Sequence, residues 1–172
     1  METLAELLSI DAVSSFVSDG SWVWPFCEFL HFVGMALLLG AIGFLDVRLL
    51  GFAKGVPIAS LSKLIPLGVA GFALNAATGF VFVAGNPVGG PADYLGNLSF
   101  QLKMLLILLA GINLLVFHWA GISRTAEAVP AGGDAPRAAK IVAAASLVLW
   151  VGVIVFGRLI MYNDTLLYAL GL

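Results

Sequence analysis

Residues 25–45 read PFCEFLHFVGMALLLGAIGFL, an apolar run interrupted by Glu28 and His31. A helix rises about 1.5 Å per residue, so a run of this length covers the roughly 30 Å hydrocarbon core of a bilayer. Three stretches of the same kind follow at 65–84, 100–120 and 141–161. The third holds Lys103 and the fourth Arg158. Hydrophobic residues make up 61% of the 172, charged ones only 10%, and the mean hydropathy is +1.07. A water-facing surface needs more charge than that. The expectation is an all-α integral membrane protein, a four-helix up-and-down bundle forming a single domain over residues 1–172. Residues 1–22 contain Glu2, Glu6, Asp11 and Asp19 but no Lys or Arg. They lack the basic region of a secretory signal, so the first span is expected to stay in the mature protein.

Short cytoplasmic loops retain Lys and Arg. Of the eight cations, Arg48, Lys54 and Lys63 lie between spans one and two, and Arg124, Arg137 and Lys140 between spans three and four. Both loops are therefore expected inside and both termini outside. Trp22, Trp24 and Tyr162 would mark the outer interface and Trp119 the inner one. Residues 1–18 mix leucines with acids and suit a short helix on the outer surface. The loop GNPVGGPADYLGN reads as turns and AVPAGGDAP as a flexible connection.

Orientation fixes depth. Glu28, Lys103 and Arg158 fall about three residues, ~5 Å, inside the outer boundary, and His31 about six residues, ~9 Å. Ionisable side chains in hydrocarbon are rare and usually face a partner or a polar cavity, which makes these four candidates for one outer site. His118 lies ~27 Å down span three, roughly 18 Å from the level of His31. Two axial ligands each stand about 2 Å from their metal, so one chain cannot place both histidines on one iron.

His31 shares a helix face with Cys27, Glu28, Gly34, Met35 and Leu38. Gly34 leaves room beside the imidazole for a porphyrin plane or for a neighbouring backbone. Ala36, Gly40 and Gly43 in span one, and Gly68, Gly71 and Gly79 in span two, suit close helix packing. Asn75 and Thr78 share the Gly71 face and turn a polar stripe into the bundle. Each ionisable group also has a plainer role. Lys103 and Arg158 sit near enough to the boundary to snorkel, Glu28 to pair with one of them, and His118 to rest at the interface beside Trp119. Asp46 and Arg48 suit a local ion pair or a phospholipid contact.

The segments EFLHFVGMALLLGAIGFLDVRLLG, IPLGVAGFALNAATGF, FQLKMLLILLAGINLLVFH and GRLIMY resemble an uncharacterised bacterial family of four-helix integral membrane proteins over nearly the whole chain. More distantly, a His in span one, an Arg at its inner end and F-x-x-K opening span three are similar to HemJ-type protoporphyrinogen oxidases and CopD-type membrane domains. The matching positions are His31, Arg48 and Lys103; the chain reads LDVRLLG where HemJ-type proteins carry a Pro-Arg motif. In the HemJ-type family the span-one His and span-three Lys are associated with b-type haem. The resemblance implies haem b held by His31 and Lys103 as metal ligands; depth and helix faces add Arg158, Glu28, Gly34 and Asn75 as the residues around it. Glu28 would fix the imidazole tautomer, and a charged Lys103 would instead pair with a propionate alongside Arg158.

The expected function is a haem-binding protein of the bacterial inner membrane that relays electrons, or an oxidoreductase acting on a small membrane-accessible substrate near the periplasmic face. Its partners would be membrane lipids, a redox protein or quinone-like molecule, and a second copy of the chain in a homo-oligomer. The alternative is a haem-free transporter or accessory subunit with a buried Glu/His/Lys/Arg proton or ion network. One Cys, scattered Met and two distant His make copper or zinc a poorer fit. No nucleotide motif or nucleic-acid-binding surface is recognisable.

Overall fold

The computed structural model describes residues 2–171, and among them every regular element is helical. Four helices are long and apolar enough to cross a membrane: Val23–Leu49, Ile58–Ala84, Leu98–Trp119 and Arg137–Leu170, spans one to four below. Shorter helices Glu2–Leu8 and Asp11–Asp19 precede them, Gly90–Gly96 joins spans two and three, and Ile122–Glu127 lies between spans three and four. The expected turns of residues 85–99 thus include a helical segment. Pro91 stands in its first turn, where a missing N–H costs nothing.

Spans one and two pack along their length as one pair and spans three and four as another. The pairs join where Phe44–Leu49 meets span four and through the short connecting helices. Spans two and three approach each other hardly at all, which leaves a seam between the pairs.

Glycine sets the closeness of the first pair. A methyl added to Gly71 would stand 2.7 Å from Gly34 O and 2.8 Å from Leu38 N, and one on Gly68 2.9 Å from Ile42 Cγ1. Small residues let backbones touch in lipid, where no hydrophobic force pulls helices together. Gly40 and Gly43, expected to serve the same purpose, face open space. They lie instead in a π-helical turn, Leu39–Gly43.

Span one continues four residues past its expected end at Leu45, because Asp46 and Arg48 are buried rather than solvated. Arg48 is 0% exposed. Its Nε donates to Val56 O at 2.7 Å and one terminal nitrogen to Gly133 O at 3.1 Å, so one guanidinium ties the loop after span one to the loop before span four. The expectation of a local ion pair or phospholipid contact is corrected: Arg48 reads backbone carbonyls in a closed pocket, away from lipid. Around it Leu45, Leu49, Ile58, Leu61, Phe117 and Ala139 form the main buried core.

The same loops are linked on the outside by Asp134, which accepts from Lys54 at 3.0 Å and Lys140 at 3.2 Å. Hydrogen bonds from these lysines hold the Asp134 carboxyl below the usual carboxylate range. Its contribution is present above the ordinary Asp value and fades as pH falls through the depressed one. Exposure and salt screening keep it small.

At the opposite end, Asn97 caps span three by accepting from Phe100 N at 3.1 Å and donates to Ile160 O at 2.9 Å. That carbonyl belongs to the 3-10 turn Ile160–Tyr162 that interrupts span four. Asn97 therefore sets the level of Lys103 against that of Arg158. Val17, from the second N-terminal helix, is buried on Gly85, so this segment rests on protein at the end of span two.

Candidate functional site

His31 is half-buried on the inner face of the first pair. Its Nδ1 lies 2.7 Å from Thr78 Oγ. The Thr78 hydroxyl donates its own proton to Leu74 O at 2.8 Å. A hydroxyl has one proton to give and two lone pairs to offer. With its proton on Leu74 O, Thr78 accepts from an Nδ1–H tautomer of His31. The ring leans on Phe82 with centroids 5.4 Å apart, and Phe82 also carries Trp24 at 5.0 Å.

Asn75 sits one turn before Thr78. With its amide oriented as its neighbours require, it donates to His31 O at 2.9 Å and accepts from Met35 N at 2.8 Å. It thus bridges a consecutive acceptor and donor of the span-one ladder. Its nitrogen lies 3.2 Å from both ring nitrogens. Gly34, one turn beyond His31, is buried against the Gly71 carbonyl. Of the two occupants its bare surface admitted, the neighbouring backbone is the one there.

Of the four ionisable groups the sequence put in one layer, His31 and Lys103 are half-buried and Glu28 and Arg158 exposed. Lys103 reaches from span three along Gly157, with Nζ 3.6 Å from where a Gly157 Cβ would be. Glu28 is exposed and accepts from Trp24 Nε1 at 3.1 Å within its own helix. The tautomer-fixing role expected of Glu28 is corrected: Thr78 holds Nδ1, because span two packs so tightly that its hydroxyl arrives first. Arg158 is also exposed, 3.4 Å from Tyr162 Oη and over that ring at 5.4 Å. This is the geometry of a snorkelling arginine resting on an interfacial aromatic. Among the described residues no salt bridge joins Glu28, Lys103 or Arg158.

Tyr94, unnoticed in the sequence, covers this end from the Gly90–Gly96 helix and packs on Phe100 at 5.5 Å. Burial, then the charges of Asp93 and Glu28, push its phenol above the ordinary value. It remains a neutral hydroxyl. His118 is exposed at the far end of span three with Nδ1 3.0 Å from Leu114 O, remote from His31 in the fold as in the sequence. Among the described residues no group of three or more His, Cys, Asp or Glu is gathered to hold a metal ion. A haem iron asks less, needing one or two axial donors.

The chain matches no protein-family model, no curated protein and no solved structure.

Proposed function

We propose that this is a b-type haem protein of the bacterial inner membrane, with His31 as an iron ligand through Nε2 and Lys103 as the group facing it across the seam. The observation that carries the reading is the Thr78 contact. It braces the imidazole through Nδ1, which is how a ligating histidine is commonly held from behind. The likeness to HemJ-type proteins at His31, Arg48 and Lys103 points the same way.

The donor chemistry fits an axial site, but Gly34 is not part of it, since its face is occupied by Gly71. Haem b would supply reversible one-electron chemistry at iron. The chain's part is to orient the imidazole through Thr78, to wall it with Phe82, and to present the Lys103 amine from the other pair. Glu28 and Arg158, turned outward, suit contact with lipid or a redox partner better than a buried four-membered network.

His31→Ala should remove the pigment or shift its Soret band, while His118→Ala should leave haem stoichiometry unchanged. Equal loss in both would contradict the assignment. Thr78→Val keeps the shape but withdraws the acceptor, and should shift the reduction potential or loosen haem with the fold intact. Lys103→Met separates the two roles of the lysine. A changed spin state marks an axial ligand, and weaker retention alone marks a propionate partner.

We also propose an up-and-down topology with both termini on the periplasmic side. Its support is the gathering of Arg48, Lys54, Lys63, Arg124, Arg137 and Lys140 at one end of the bundle. A C-terminal alkaline phosphatase fusion should be active and a fluorescent-protein fusion dark. The reverse pattern would move His31 to the cytoplasmic leaflet.

A further inference from the structure

A second site lies toward the Arg48 end, where all four spans enclose a cavity of about 210 Å³. Its walls are almost wholly apolar, with Phe72, Phe117 and Trp150 among them, and its polar side chains are Asp46, Asn113 and Ser146. Asn113 is committed to Val142 O at 3.1 Å. Ser146 is buried beside Asp46 in the lining. Asp46 itself is only 5% exposed, and its Oδ2 has no hydrogen-bond partner.

Span one lines the cavity with Leu38, Ile42, Leu45, Asp46 and Leu49, so the carboxyl stands on the same inward face as four apolar side chains.

We propose that this cavity binds a small lipophilic amine, its apolar body among the aromatic walls and its nitrogen on Asp46 Oδ2. The size is apt, since an apolar cavity of about 150 Å³ holds one benzene ring. The charge is apt too, because a lone carboxylate in apolar surroundings is costly and a cation on it removes the cost. Whichever partner brings the proton, the bound pair is a carboxylate and an ammonium sharing it, with aromatic faces adding cation–π attraction. Access is from the bilayer. Val69 is 49% and Phe72 37% exposed on the flank where spans two and three stand apart, so a molecule dissolved in lipid meets the cavity without crossing water.

This site is independent of the haem reading and remains if His31 binds nothing. The test is a thermal-shift titration of the purified full chain in detergent, with 2-phenylethylamine against propylbenzene, its uncharged near-isostere. The amine should stabilise the protein at concentrations where propylbenzene does not. Asp46→Asn should weaken the amine about thirtyfold or more and leave propylbenzene unchanged. Equal shifts with both compounds would overturn the proposal and leave a non-selective apolar void. No shift with either would overturn the site altogether. Should Asp46→Asn fail to accumulate, the comparison of the two compounds on the unaltered chain still decides.

Discussion

Replacing Arg48 by Met is expected to cost about 2–6 kcal/mol and to release both loops at its end of the bundle. The substitution keeps most of the apolar stem, so little of the loss comes from packing. What goes is the pair of donors to Val56 O and Gly133 O, and each part-buried carbonyl left without a donor costs about 1–3 kcal/mol. Arg48→Lys retains the charge but not the planar fork that serves two acceptors at once, and should recover less than half of the loss. Thermal unfolding in detergent measures the effect, and limited proteolysis locates it at residues 51–57 and 130–136. A stability within 1 kcal/mol of the unaltered chain, on the scale of a surface substitution, would show that the guanidinium is dispensable.

Gly71→Ala should have a comparable effect by a different route. The added methyl would meet Gly34 O at 2.7 Å, Leu38 N at 2.8 Å and Leu37 Cβ at 2.9 Å. Two of those atoms are backbone, so no rotamer change relieves them and spans one and two must part. Overpacking of this kind costs about 3 kcal/mol. It also draws Thr78 and Asn75 away from His31, so weakened haem retention should accompany the loss of stability. Gly40→Ala and Gly43→Ala are the controls. Both face open space, and alanine is the better helix former by about 1 kcal/mol, so neither should destabilise the chain. Destabilisation of all three alike would mean that helix propensity or the π turn, and not the Gly34–Gly71 contact, governs this region.

The membrane-crossing helices were legible because twenty apolar residues in a row have few other uses, and their approximate bounds followed from length. The ends were not. Asp46 and Arg48 look like loop residues by composition, and only the carbonyls of Val56 and Gly133, distant in sequence, make burial of an arginine tolerable. The His31 face was half legible: i±3 and i±4 spacing picked out Gly34, and the Gly71, Asn75, Thr78 stripe announced a polar surface on span two. That the stripe meets His31 depends on how span two is rotated and how closely the glycines let it approach. Depth arithmetic gave levels along the normal but no azimuth, which is why Glu28 and Arg158 share the level of His31 and Lys103 yet face outward. The cavity at Asp46 was hidden because its walls come from all four spans, and which faces meet is set by packing and not by spacing along one helix.

The central claim is that His31 is braced to bind haem iron. The most direct measurement is the reduced-minus-oxidised absorption spectrum of the unaltered protein, purified from a haem-replete bacterial membrane and quantified as pyridine haemochrome. The account predicts a b-type spectrum at about one haem per chain, lost in His31→Ala and kept in His118→Ala. A colourless preparation of folded protein, or a full-strength spectrum in His31→Ala, would contradict it.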